Sequence, residues 1–218
     1  MQTPASQLAL TQIRDVSTLE WYVIPLLALL FYIYSIEIKK ARAIGNWNAV
    51  LSGLTVFGMD FINETLNGWI LCLSDQSALW TAPGKTALRT MVGWNVEIMF
   101  MFAISGLIYY HSMNDDNGKK IPSLTERWIF AIAISAFCVF VEWFLNKGGH
   151  LIWEYDFWNR SFKGVWLIFL FGYLHFYVAA LWVIGMKRIQ SKLITIAIIY
   201  SIAILGNIIG FGVMGWKY

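Results

Sequence analysis

Asp60, Asn63, Glu64 and Asn67 recur at i, i+3, i+4 and i+7 within a largely apolar run, so a helix there carries all four on one face. Such a stripe cannot face lipid and must face the interior of a bundle or water. Two further apolar runs each hold one glutamate, Glu97 and Glu142. A carboxylate in hydrocarbon costs on the order of a few kcal/mol on insertion scales, so each of these groups needs a reason to be there. Counted at about 1.5 Å per residue from the middle of each predicted helix, Glu64, Glu97 and Glu142 fall within roughly 10 Å of the midplane, on the same side. The expectation is a polar chamber at one depth.

The chemistry open to such a chamber is proton transfer. No Lys or Arg sits at the depth of these acids, and mutual repulsion with poor solvation favours the protonated form of at least one. A carboxylic acid held neutral in a dry site is a proton donor. Asp60, Glu64, Glu97 and Glu142 are therefore the candidate catalytic residues. Glu64 or Asp60 would donate a proton, and Glu97 and Glu142 would stabilise positive charge or accept one. Trp69, Trp94 and Trp143 lie close in sequence to the three glutamates, and their π faces would shield a cation. Asn63, Asn67, His175 and Asn207 complete the candidate substrate-binding set. An intramembrane Asn or His also serves as an interhelical hydrogen bond, and that alternative stays open for His175 and Asn207.

Positioning these groups takes a bundle. The chain has 218 residues, 58% of them hydrophobic and 13% charged, with a mean hydropathy of +0.59. Soluble domains carry about 25% charged residues. The expected fold is all-α: one polytopic membrane domain over 1–218, with about six transmembrane helices. Apolar runs of about the 20 residues that a bilayer requires place them at roughly Trp21–Ile38, Trp47–Leu73, Ala87–Ser112, Glu126–Asn146, Val165–Met186 and Leu193–Met214. Met1–Glu20 lacks the basic n-region of a signal peptide, so the first span is expected to stay in the protein.

The connections after the first, third and fifth helices hold Lys39, Lys40 and Arg42; Lys119, Lys120 and Arg127; and Lys187, Arg188 and Lys192. That excess favours their side as cytoplasmic and both termini as outside. Lys147–Gly164 mixes five aromatic residues with His150, Glu154, Asp156 and Arg160. It reads as an interfacial anchor or as a flap over the bundle mouth. Gly206 and Gly210 form a GxxxG spacing suited to close helix packing, internal or in a dimer.

Several classes find no support. The net charge of +3 comes without any basic block for nucleic acid. Cys72 and Cys138 show no CxxC spacing and read as buried thiols. No HExxH, Glu-x-x-His pair, histidine box or Cys/His zinc spacing occurs, so neither metal nor cofactor is expected.

One further pattern is a polar stripe ending in Asn67-Gly68-Trp69, then a short loop with Leu79-Trp80, then a helix with Glu97. This order resembles the emopamil-binding protein family of sterol isomerases, with Glu142 and Ala180-Leu181-Trp182 following in loose agreement. Where that family has His and Glu, this chain has Asn63 and Asn67. The small integral-membrane terpene cyclases are a related comparison. The resemblance implies acid chemistry on a polycyclic or isoprenoid lipid.

The expected function is thus a membrane-embedded isomerase or cyclase acting on a lipophilic isoprenoid- or sterol-like substrate by carbocation chemistry. Its partners would be that small molecule and the membrane lipids. The alternatives are a proton- or cation-coupled transporter or channel, and a lipid-binding scaffold.

Overall fold

The computed structural model describes residues 1–113 and 123–218. Lys119 and Lys120, two of the basic residues used for orientation, lie outside that range. A short helix α1 (Pro4–Thr11) opens the chain, with Thr3 capping its N-terminus and Pro4 in its first turn. Six long helices follow: α2 (Val23–Ile44), α3 (Asn48–Ser74), α4 (Val96–Met113), α5 (Leu124–Lys147), α6 (Phe162–Gly185) and α7 (Ile189–Val213). Local chemistry sets several ends. Gly45 stops α2 in the left-handed region at φ 71°. Ser123 and Glu126 close a capping box at the start of α5.

Among the described residues four helices, α4 to α7, are long and apolar enough to cross a membrane by length and composition. The expectation was about six. The two that fall short have physical reasons to do so: α2 carries Glu37, Lys39 and Lys40 in its second half, and α3 carries the polar stripe. Helix α3 offsets that stripe by enclosure. It packs against α4, α6 and α7, and most of its side chains are buried. Helices α5 and α7 turn apolar faces outward, as Phe137, Phe140, Phe144 and a row of exposed isoleucines show. The result is an all-α, multi-pass membrane bundle built around one polar helix.

The α3–α4 contact is made by absent side chains. A Cβ on Gly106 would meet the Ser52 carbonyl oxygen at 2.4 Å and Gly53 Cα at 2.7 Å. Ser52 Oγ instead donates to the Gly106 carbonyl at 2.7 Å. Gly206 and Gly210 of α7 pack within the chain, toward Thr65 and Tyr218 respectively, which supports the internal reading of the GxxxG spacing.

Residues 87–95, expected as the start of the third helix, are not helical. They form a hairpin of β1 (Arg89–Met91) and β2 (Trp94–Asn95), and α4 begins only at Val96. Two other features escape sequence periodicity: α6 widens into a π-helix over Ile168–Leu174, and α7 does so over Ile208–Val213.

The segment after α5 folds back over the bundle. Ile152 and Thr81 exchange backbone hydrogen bonds at 2.7 and 2.9 Å. Tyr155 donates to the Ser77 carbonyl at 2.9 Å, and Thr3 Oγ1 donates to Glu154 at 2.6 Å. Cys72 and Cys138 are both unpaired thiols.

Candidate functional site

The polar face of α3 opens on a cavity of about 290 Å³, near the small end of ligand pockets. Asp60, Asn63 and Glu64 line it from α3, Glu142 from α5, and Glu97 from the first turn of α4. The rest of the wall is apolar and aromatic: Trp80, Phe102, Phe137, Trp158, Tyr173 and Phe176 among others. Trp80 and Trp158 stack at 5.7 Å between ring centroids, so the folded-back segment supplies part of the cavity's roof.

Each α3 acid is held by an indole. Trp94 Nε1 donates to Asp60 Oδ2 at 2.7 Å, and Trp80 Nε1 donates to Glu64 Oε1 at 2.6 Å. Glu64 Oε2 is buried and has no hydrogen-bond partner among the described residues. Glu142 faces the Tyr173 hydroxyl and acts electrostatically on both Asp60 and Glu64. No described salt bridge involves any of the three. Three carboxyls thus share one water-poor space with only neutral donors for company. Among the described residues, no three His, Cys, Asp or Glu side chains gather closely enough to hold a metal ion.

Glu97 is held differently. Its Oε1 accepts from the Tyr22 hydroxyl at 2.5 Å and the Ala87 amide at 2.8 Å, and its Oε2 accepts from Thr86. It lies at the mouth, in the first turn of its helix, and not at the common mid-depth predicted. The helix begins later than its apolar sequence indicates, which carries Glu97 outward.

Several predicted substrate contacts sit elsewhere. Trp69 packs edge-on against Trp216 at 5.5 Å, and Trp143 lies beneath Lys147 and beside Phe144. Five residues advance a helix by about 140° and one residue by about 100°, so neither indole shares a face with its neighbouring glutamate. Trp94 stays behind the cavity wall, stacked on Phe61 at 5.2 Å, and serves Asp60 rather than Glu97. Asn67 pairs with the Trp80 backbone, donating to its carbonyl at 2.8 Å and accepting from its amide at 3.2 Å. Asn207 donates to Thr65 at 2.6 Å and accepts from Tyr218 at 3.2 Å, an interhelical role.

Asn63 and His175 serve the π-helix. Asn63 donates to the Phe171 carbonyl at 2.9 Å, and His175 Nε2 lies 3.2 Å from Asn63 Oδ1. His175 Nδ1 lies 3.3 Å from the Leu170 carbonyl. The pair satisfies backbone groups that the wide turn leaves without ordinary helical partners. That turn brings Gly172 and Tyr173 to the cavity.

Trp80, Trp158, Tyr173 and Phe176 line the cavity but are absent from the candidate residues read from the sequence. Gly93 was the available signal for the first. A Cβ there would meet the Trp80 ring at 2.5 Å and Asn67 Nδ2 at 2.7 Å, so the hairpin turn must be glycine for Trp80 to reach Glu64.

Comparison with known proteins overturns the resemblance to sterol isomerases and terpene cyclases. The match is instead to an uncharacterized membrane protein family, over residues 3–212. An uncharacterized protein from Archaeoglobus fulgidus is 40% identical over 216 residues, covering 99% of this chain and 100% of its own length. No solved structure matches. The structure shows why the short motif misled: Asn67 and Trp69 of Asn67-Gly68-Trp69 do not line the cavity. The chain belongs to this uncharacterized membrane protein family.

Proposed function

We propose that the protein is a membrane-embedded isomerase or cyclase that moves a proton onto and off a lipophilic, isoprenoid-like molecule. The observation that carries this reading is Glu64. One of its carboxyl oxygens is fixed by the Trp80 indole, and the other is buried without a partner on the wall of an aromatic cavity. A group held in place with unused hydrogen-bonding capacity is poised to give a proton rather than to hold the fold together.

The cavity wall also reaches the outer surface of the bundle. Met101 of α4 and Phe137 of α5 line it while 58% and 64% exposed. On this reading a molecule dissolved in the bilayer enters laterally, past these two side chains.

Glu64 protonates an alkene carbon: the π pair forms the new C–H bond, and the neighbouring carbon becomes cationic. Asp60 and Glu142 stabilise that charge with the faces of Trp80 and Trp158. Glu142 then takes a proton from an adjacent carbon and a new alkene forms. In a cyclisation, a second alkene of the same molecule attacks the cation first. The proton gained by Glu142 returns to Glu64, and the net count is unchanged.

Native mass spectrometry with lipid extraction, on protein purified in mild detergent, tests the substrate class. An unsaturated isoprenoid-like lipid at a stoichiometric level is the expected result. A saturated lipid without any alkene, or proton flux through proteoliposomes that depends on Glu64 without lipid turnover, would contradict it.

A further inference from the structure

A second cavity, of about 240 Å³, lies at the same end of the molecule, walled by Gln12, Glu20, Lys85, Thr86 and Arg89. All five are polar or charged, in contrast to the aromatic cavity next to it. Arg89 is the unusual member, a guanidinium only 1% exposed. Its backbone is pinned through Arg14, whose amide donates to the Arg89 carbonyl at 2.8 Å. Its side chain donates to the Ala82 carbonyl at 2.9 Å, the Gly84 carbonyl at 2.5 Å and Gln12 Oε1 at 3.0 Å. These acceptors are all neutral, and they number three for five N–H groups. No described salt bridge reaches Arg89. Glu97 acts on it only through space, and Glu20 of the same pocket is paired with Lys85. A buried cation without a directly paired anion is costly, and a rigid guanidinium fork matches carboxylate or phosphate.

We propose that this pocket binds an oxyanion, a phosphate or carboxylate group, with Arg89 as its fixed partner and Lys85 as its mobile one. Lys85 is 87% exposed on its side chain and now pairs with Glu20 at 3.1 Å. An incoming anion takes over Lys85 in place of Glu20, so Glu20 acts as an internal competitor. The volume exceeds that of a water, roughly 30 Å³, several times over, and it admits the anionic group with part of its hydration shell. Thr86 lines this pocket while its hydroxyl donates to Glu97, which lines the main cavity. Thr86 and Glu97, joined by this bond, therefore form part of the wall between the two cavities. The anion site itself does not depend on the chemistry assigned to the main cavity.

Isothermal titration of the full chain in neutral detergent, with inorganic phosphate, acetate and dodecyl phosphate as probes, tests the site. At least one probe is expected to bind saturably. Lys85→Gln, a change to an exposed side chain, is expected to weaken it about tenfold, the scale of one charge-assisted contact. Glu20→Gln is expected to tighten it severalfold. Dodecyl phosphate binding far tighter than inorganic phosphate identifies a lipid head group; equal affinities identify a free anion. No saturable binding by any probe, or binding that neither variant changes, overturns the proposal.

Discussion

Glu64 in the middle of α3 and Glu97 at the mouth end of α4 line one cavity, yet they are treated in opposite ways. Glu97 accepts three hydrogen bonds that use both of its oxygens, from Tyr22, Thr86 and Ala87. It ties the start of α2, the 75–95 segment and α4 together. Among the described residues Glu64 accepts one short bond, from Trp80, with the Asn67 amide nearby, and its second oxygen has no partner within hydrogen-bond distance. The difference is between a carboxylate consumed by architecture and a carboxyl held for use. Residue type does not separate the two; hydrogen-bond valence does.

The largest expected effect follows from removing the acid that is free to act. Glu64→Gln keeps the side-chain shape and the acceptor for Trp80. It should lower proton transfer by 10²- to 10⁴-fold, roughly the contribution of a general acid, with the unfolding temperature nearly unchanged. Glu97→Gln should do the reverse. It places an amide donor among three donors and should cost roughly 2–3 kcal/mol of stability, seen as a lowered unfolding temperature, while turnover at low temperature persists.

Two smaller changes sharpen the contrast at the level of the donors. Trp80→Phe preserves the ring beside Trp158 but removes the N–H to Glu64. The expected result is a rate loss of about tenfold, with modest change in thermal stability. Tyr22→Phe deletes one of three donors to Glu97 and should cost about 1 kcal/mol in a thermal scan, with the rate unaffected. Stability lost at Glu64 and rate lost at Glu97 would invert the assignment.

The sequence made the bundle and the α3 stripe legible because both rest on periodicity. Asp60, Asn63 and Glu64 do share a face, and that face does meet a cavity. The partners of these groups were not legible, since they come from distant segments. Trp80 reaches Glu64 across sixteen residues and Trp94 reaches Asp60 across thirty-four, whereas Trp69 and Trp143, nearest in sequence, turn away. The hairpin at 89–95 was hidden because Met91, Val92 and Trp94 let the apolar run of the next helix be extended back over it, although Arg89, Thr90, Gly93 and Asn95 interrupt that run. The π-helix of α6 is invisible to a 3.6-residue pattern; its trace is the pairing of Asn63 with a carbonyl on another helix.

Glu64 is the proposed proton donor to a lipophilic molecule. The most direct measurement incubates the purified protein with its extracted lipid in heavy water and follows deuterium entering carbon positions by mass spectrometry. Wild type and Glu97→Gln should incorporate deuterium, and Glu64→Gln should not. Incorporation that survives in Glu64→Gln, or that is absent from the wild type, would contradict the assignment.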